Sequence, residues 1–246
     1  MNQGAIIITG GASGIGLACA TYFSDNGEHV AIVDLPASIE NCSASHQDNM
    51  HLFACDITDE VTVESTVNAI AEQFDGISGL VNCAGVLADG LLLKKDADGN
   101  VKSLSANTFS NVLNVNLFGT FLMTREVAKH MIEREQGVIV NLSSISRAGN
   151  KGQTCYSASK AGVDAMTATW GQELSQFGIR VGAIAPGFVD TPMVRKMRED
   201  MREKQIQRVP LKRMASTTEI VNAVKFIFDN HYFNGRVLEL DGGLRF

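Results

Sequence analysis

Short β-branched runs alternate along this chain with longer stretches whose apolar residues recur at helical spacing. Seven runs predict strands, at residues 5–9, 29–34, 50–55, 79–82, 137–142, 180–185 and 236–240. Most are continuously apolar, the pattern of strands buried on both faces of a parallel sheet. Between them lie five predicted helices, at 14–26, 60–74, 107–133, 156–177 and 217–228. Gly27, Gly76 and Gly178 fall just past three of these helices, where glycine takes the conformation that ends a helix. Strands alternating with helices imply right-handed crossovers. The expected fold is one α/β domain over residues 1–246, a Rossmann-type doubly wound parallel sheet of about seven strands with helices on both faces.

Two segments break the rhythm. Residues 86–106 carry the run Leu91-Leu92-Leu93-Lys94-Lys95 and a turn signal at Asp98-Gly99, and read as an insertion. Residues 190–215 open a helix at Thr191-Pro192 and place Met193, Met197 and Met201 four apart among many charges, and read as a lid. Both leave the sheet at the C-terminal ends of its strands, where open α/β sheets bind ligands.

Composition narrows the function classes. The 246 residues are 45% hydrophobic and 20% charged, with a net charge of −6. That is enough apolar surface for a folded core and too acidic for a nucleic-acid partner. No apolar run reaches the roughly 18–20 residues that span a bilayer, and no basic, apolar leader is visible, so a cytoplasmic protein is expected. The five cysteines and five histidines are dispersed, which predicts reduced thiols and no metal site.

The first predicted strand runs into Thr9-Gly10-Gly11-Ala12-Ser13-Gly14-Ile15-Gly16 and then a helix. Glycines there let the backbone approach a pyrophosphate, and the helix N-terminus points free N–H groups at it. The spacing TGxxxGxG differs from GxGxxG, and a plain strand-to-helix turn is the alternative. Asp34 ends the second strand, 18 residues after Gly16. It is placed either to bond a ribose and repel a 2′-phosphate, which predicts NAD(H), or to cap the helix ahead of Pro36. Asp56, at the end of the third strand, reaches the adenine side or caps.

Tyr156 and Lys160 are four apart and share a helix face with Val163, Trp170, Leu174 and Phe177. A lysine on an apolar face is either functional or snorkelling from its edge. An ammonium beside a phenol lowers the phenol's pKa from about 10 and suits it to proton exchange. Ser143 lies 13 residues before Tyr156, at a strand end facing the helix start, where a hydroxyl donates to a substrate oxygen or serves the loop. It has neither GxSxG nor a nearby histidine, so it is no hydrolase nucleophile. Asn116 falls among Val112, Leu113 and Met123, and such an amide either holds a water toward Lys160 or bonds backbone.

Together these residues resemble the short-chain dehydrogenase/reductase family over almost the whole chain. The resemblance rests on Thr9–Gly16, Asn82-Cys83-Ala84-Gly85, Asn116, Ser143, Tyr156-x-x-x-Lys160, Pro186-Gly187 with Thr191, and Asp241-Gly242-Gly243. Cys83 departs from it, since many members have asparagine there. It implies Tyr156 as general acid/base, Lys160 as its tuner and a nicotinamide-ribose ligand, Ser143 as carbonyl polariser and Asn116 as anchor of a relay water. It also implies a cofactor lying along Gly10, Ser13, Gly14, Ile15, Gly16, Asp34, Asp56, Ile57, Asn82, Cys83, Ala84, Gly85, Tyr156, Lys160, Pro186, Val189 and Thr191. Ser143, Gln153 and Tyr156 would face substrate. Within the family, residues 86–106 and the ending 233–246 look like type-2 3-hydroxyacyl-CoA dehydrogenases. That implies a hydride passed between NAD(H) and a secondary alcohol or ketone, and 3-hydroxyacyl-CoA as substrate. Hydroxysteroids, other secondary alcohols, 3-oxoacyl-carrier-protein reduction and a non-catalytic NAD(H)-sensing scaffold are the alternatives. The run Arg195-Lys196-Met197-Arg198 is either a partner for CoA phosphates or a solvated helix face. Apolar residues all round the 107–133 helix, Val115, Phe118 and Phe121 among them, predict a second buried face, and the family's usual homotetramer supplies it.

Overall fold

The computed structural model describes residues 4–42, 49–195 and 197–245. In chain order the first elements are β1 (Ala5–Thr9), α1 (Gly14–Asp25), β2 (Val30–Asp34), α2 (Pro36–Glu40), β3 (Met50–Ala54), α3 (Glu60–Gln73) and β4 (Ile77–Asn82). A hairpin of β5 (Leu93–Lys95) and β6 (Val101–Ser103) follows. Next come α4 (Ala106–Leu113), a π-turn (Asn114–Gly119), α5 (Thr120–Glu133) and β7 (Gly137–Leu142). A 3₁₀ turn (Ile145–Ala148) leads to α6 (Thr154–Glu173), a further 3₁₀ turn (Ser175–Phe177) and β8 (Ile179–Pro186). The chain closes with α7 (Pro192–Arg195), α8 (Glu199–Arg208), α9 (Thr217–Asp229) and β9 (Arg236–Leu240).

Seven strands form one parallel sheet in the order β3-β2-β1-β4-β7-β8-β9. The order reverses between β1 and β4, and the carboxyl ends of these two strands open a crevice of the kind that binds ligands in open α/β sheets. Alternation along each strand sends side chains to opposite faces. Ile6, Ile8, Ile32 and Val140 pack under α1 and α9, with Cys19, Phe23, Ile220 and Val224. Ile7, Val33, Leu80 and Ile139 pack under α3 and α5, with Val67, Ile70, Leu122 and Val127. Burial on both faces explains the continuously apolar strands.

Three differences from the sequence reading have local causes. The segment 86–106 contains the β5–β6 hairpin, two strands of three residues with every residue exposed, too short and too polar for a periodicity to mark. Its turn is closed by Asp96, whose carboxylate accepts from the Asp98 and Asn100 amides, and by Gly99 at φ 88°. The expected helix at 107–133 is broken by the π-turn. There the Asn116 side chain is tied to the Val86 backbone, and Gly119 abuts Ile57 so closely that a Cβ would lie 2.7 Å from it. Between 190 and 215 the helix does start at Pro192, but it ends at Arg195, Met197 falls between α7 and α8, and Met201 is exposed; the side chain of Met193 lies outside the described ones.

Candidate active site

Backbone alone shapes the first half of the site. Gly10, at φ 63°, lies against the Ala84 backbone, and a Cβ on Gly16 would stand 2.2 Å from the Gly10 carbonyl oxygen. The turn closes only with hydrogen at these two positions. Gly14 is different: a Cβ there would meet nothing nearer than Thr191 and Pro192 at 3.8 Å, so it borders open space. Ser13 is the N-cap of α1 but gives no side-chain cap, and the first turn holds no acid. Uncapped N–H groups at an open helix N-terminus suit an anion such as a pyrophosphate. Asp34 is held at the end of β2 by two backbone donors, Ala12 N–H (3.1 Å) and Leu35 N–H (2.8 Å). Asp56 accepts from the amide and hydroxyl of Thr58, and the cap of α3 is Asp59 instead.

Side chains shape the second half. Ser143 follows β7, and its N–H donates to Ile184 (2.8 Å), fixing it to the sheet edge. Tyr156 and Lys160 project from the first two turns of α6. Ser143, Tyr156 and Lys160 line the same cleft of about 450 Å³ as the glycine loop, Asp34 and Asp56. Lys160 is only 5% exposed; its Nζ donates to the Leu142 carbonyl (2.6 Å) and stands 5.7 Å from the centre of the Tyr156 ring. Burial pulls its pKa down to about 8. Burial also pushes the Tyr156 phenol up, against a hydrogen bond with Ser144 that pulls it down, and Asp89 adds to the rise. The expectation of a lowered phenol is thus reversed in the free protein. The ammonium is bonded to a carbonyl and lies over the ring, so desolvation of the phenolate dominates.

Cys83, Ala84 and Gly85 cross the floor of the cleft, with Thr9 Oγ1 accepting from Ala84 N–H (3.1 Å). A hydrogen bond to Cys19, together with burial, keeps Cys83 a thiol. Ile57 closes one wall, and Pro186, Val189 and Thr191 the other. Three expected residues stand back from the cleft. Asn116 is fully buried; its amide donates to Val86 O (2.9 Å) and Ser159 Oγ (3.1 Å) and accepts from Val86 N–H (2.7 Å). Asn82 donates to Thr124 Oγ1 and Asn141 Oδ1, inside the sheet. Gln153 donates to Asp89 and accepts from Ser146 and Asn150, tying the loop ahead of α6. Arg195 pairs with Asp190 and Arg198 with Asp200, each through two hydrogen bonds, so these two guanidiniums of the basic run face neighbouring acids; Lys196 lies outside the described residues.

Residues 4–202 match the profile of short chain dehydrogenase. The chain belongs to the short chain dehydrogenase family. It is 37% identical to the 3-oxoacyl-[acyl-carrier-protein] reductase FabG of Thermotoga maritima, across 97% of this chain and 96% of that one. It is 36% identical to the 3-hydroxyacyl-CoA dehydrogenase type-2 of Bos taurus (97% and 94%) and 33% identical to the sorbitol-6-phosphate 2-dehydrogenase of Klebsiella pneumoniae (99% and 96%). The solved structure of gox2181 superimposes with a TM-score of 0.86 at 28% identity, covering 99% of this chain and 96% of that one. This short chain dehydrogenase is an oxidoreductase acting on CH–OH groups.

Some cleft residues of this dehydrogenase carried no motif signal. Ser144, next to Ser143, bonds the phenol; Val115 lines the wall from the π-turn; Val86 and Val194 come from the segments expected to form the insertion and the lid. Asp164 lies one turn beyond Lys160 on α6. An acid four residues past a lysine on an otherwise apolar helix face was its only available sign.

Proposed function

We propose that this enzyme is an NAD-dependent dehydrogenase of secondary alcohols, with 3-hydroxyacyl-CoA and 3-oxoacyl-CoA as its substrate pair. The observation that carries the reading is the shared cleft: the glycine loop and Asp34 at one end, Ser143, Tyr156 and Lys160 at the other. In alcohol oxidation, Tyr156 takes the hydroxyl proton and Ser143 donates a hydrogen bond to the same oxygen. The chemistry that bound NAD would supply is that of a hydride acceptor for the carbinol carbon. Lys160 supplies the positive charge that offsets the cost of a buried phenolate and bonds the nicotinamide ribose. Asn116 faces Lys160 across Gly85 and anchors the water that returns the proton to solvent. Asp34 bonds the adenine ribose and repels a 2′-phosphate, which favours NAD. Residues 86–106 and 190–215 wall the substrate, with Gln153 at the rim.

The type-2 3-hydroxyacyl-CoA dehydrogenase relative supports the acyl-CoA pair. A 3-oxoacyl-carrier-protein reductase is the second reading, favoured by the FabG relative; a panel of acyl-CoA and carrier-protein thioesters, hydroxysteroids and simple secondary alcohols separates them. We place the enzyme in the cytoplasm as a homotetramer: its cysteines are free, no described helix is long and apolar enough to cross a membrane, and Phe118 on the π-turn is 42% exposed. A monomeric mass by light scattering at micromolar concentration rejects the tetramer.

Tyr156→Phe tests the chemistry. It loses roughly 10²–10⁴-fold in turnover while fluorescence titration shows NADH still binding. Near-normal turnover in this variant removes the proposed mechanism, and tighter binding of NADPH than NADH removes the cofactor assignment.

A further inference from the structure

Lys160 is a buried cation without a carboxylate at salt-bridge distance, and the only hydrogen-bond partner of its ammonium is the Leu142 carbonyl, among the described residues. Cys83 faces it and, as a thiolate, would favour the ammonium more than Asp164 does, but a hydrogen bond to Cys19 and burial push Cys83 well above its ordinary value, so it is a neutral thiol where Lys160 titrates. The next acid along α6 is Asp164, one turn past Lys160 on the same face. Its carboxylate is buried, and neither oxygen makes a well-aligned hydrogen bond. It faces the Ser143 hydroxyl, and Oδ2 stands 2.8 Å from Nη1 of Arg147, in the 3₁₀ turn after β7. Arg147 is held from behind by Glu239 of β9, at 2.5 Å.

A carboxylate is costly to bury unless something compensates it. Burial pushes Asp164 up, and Ser143 and Arg147 oppose that rise. Asp164 and Lys160 also favour each other's charged forms. No step proposed for the active site uses Asp164, so the burial cost needs another cause.

We propose that Asp164 is a positioning residue that acts through Lys160: its carboxylate is the counter-charge that keeps the buried amine an ammonium, and Arg147 holds that carboxylate from its other side as a competing positive charge. Around Lys160 stand Tyr156 and Asp164 of α6 itself, Cys83 from the loop after β4, Asn116 from the π-turn and Ser143 from the end of β7. Around Asp164 stand Arg147, Ser143 and Lys160. Of these, only Asp164 brings a negative charge to Lys160, and only Arg147 brings an opposing positive one from another element.

The two substitutions therefore move Lys160 in opposite directions. NMR titration of isotope-labelled lysine side chains in the free protein, with Lys160→Arg assigning the resonance, reads the midpoint directly. The parent midpoint is expected at about 8. Asp164→Asn lowers it by about one pH unit, Arg147→Gln raises it, and Asp164→Glu stays close to the parent. In turnover, the Asp164→Asn enzyme loses activity at lower pH on the alkaline side and keeps it at pH about 6. A purely structural role would depress activity at every pH and leave the Lys160 midpoint in place. An unchanged or raised midpoint in Asp164→Asn overturns the proposal, as does a lowered one in Arg147→Gln; if Asp164→Asn does not fold, Arg147→Gln decides. The consequence for turnover rests on the proposed function, but the titration needs no substrate. A failed titration rejects the role of Asp164, and an active Tyr156→Phe rejects the functional reading.

Discussion

The helices α1 and α6 both begin at the cleft, yet they contribute to it by opposite means. The start of α1 offers backbone: glycines in close contact, an uncapped N-terminus and no charged side chain in its first turn. The start of α6 offers side chains: a phenol pushed up by burial, an amine pulled down to about 8 and an acid one turn further on. A backbone cradle carries fixed dipoles and needs little support around it. A buried titratable group takes its charge from its surroundings, so the α6 half depends on residues from β4, β7, β9 and the π-turn. The start of α9 shows what an ordinary helix does, with Ser216 and Glu219 closing a capping box.

The sharpest break of the comparison is at Gly16. Gly16→Ala sets a Cβ 2.2 Å from the Gly10 carbonyl, a clash of backbone with backbone. It is expected to cost at least about 3 kcal/mol in thermal or denaturant unfolding and to abolish NADH binding. Gly14→Ala meets open space and carries only the cost of a left-handed residue, about 1–2 kcal/mol, so it folds and binds more weakly. If both unfold alike, α1 is a packing feature and not a cradle.

Lys160→Met tests the other helix. The folded amine is depressed to about 8 from 10.5, so the unfolded chain binds the extra proton between these values and stability rises with pH across that window. Near neutral pH the buried ammonium opposes folding by on the order of 3 kcal/mol. Removing it is expected to raise the unfolding midpoint while turnover is lost. It should also flatten the stability rise from pH 8 to 10.5 in denaturant titrations. A drop in midpoint means that the bond to Leu142 outweighs the desolvation.

Ser216→Ala sets the smallest expected effect. It removes a cap whose hydroxyl does not line the cleft, although the preceding Ala215 pairs with Val189 of the cleft wall, and should cost about 1 kcal/mol with little change in kcat or KM.

Much of this was legible along the chain. The seven sheet strands were visible because burial on both faces leaves a continuous apolar run, and the glycine loop because its geometry admits so few residue types. Tyr156, Lys160 and Ser143 were visible because their spacing places them at one strand end and one helix face. The β5–β6 hairpin was not, because strands of three exposed residues have no apolar pattern. Asn82 and Asn116 looked alike as polar residues in apolar surroundings, but one bonds inside the sheet and the other ties down Val86; partners distant in sequence decide between such roles. The π-turn was hidden for the same reason, since its Asn116 side chain is bonded to Val86, 30 residues away.

By itself, then, the order of residues determined the layered α/β fold, the glycine cradle and the identity of the groups at the cleft, all of which follow from short-range periodicity and steric permission. Only the tertiary structure decided the charge states. Tyr156 is raised instead of lowered, Lys160 is depressed, and Asp164 stands between Arg147 and Ser143, because desolvation and Coulomb forces act through space among groups that the sheet brings together from far apart in the chain.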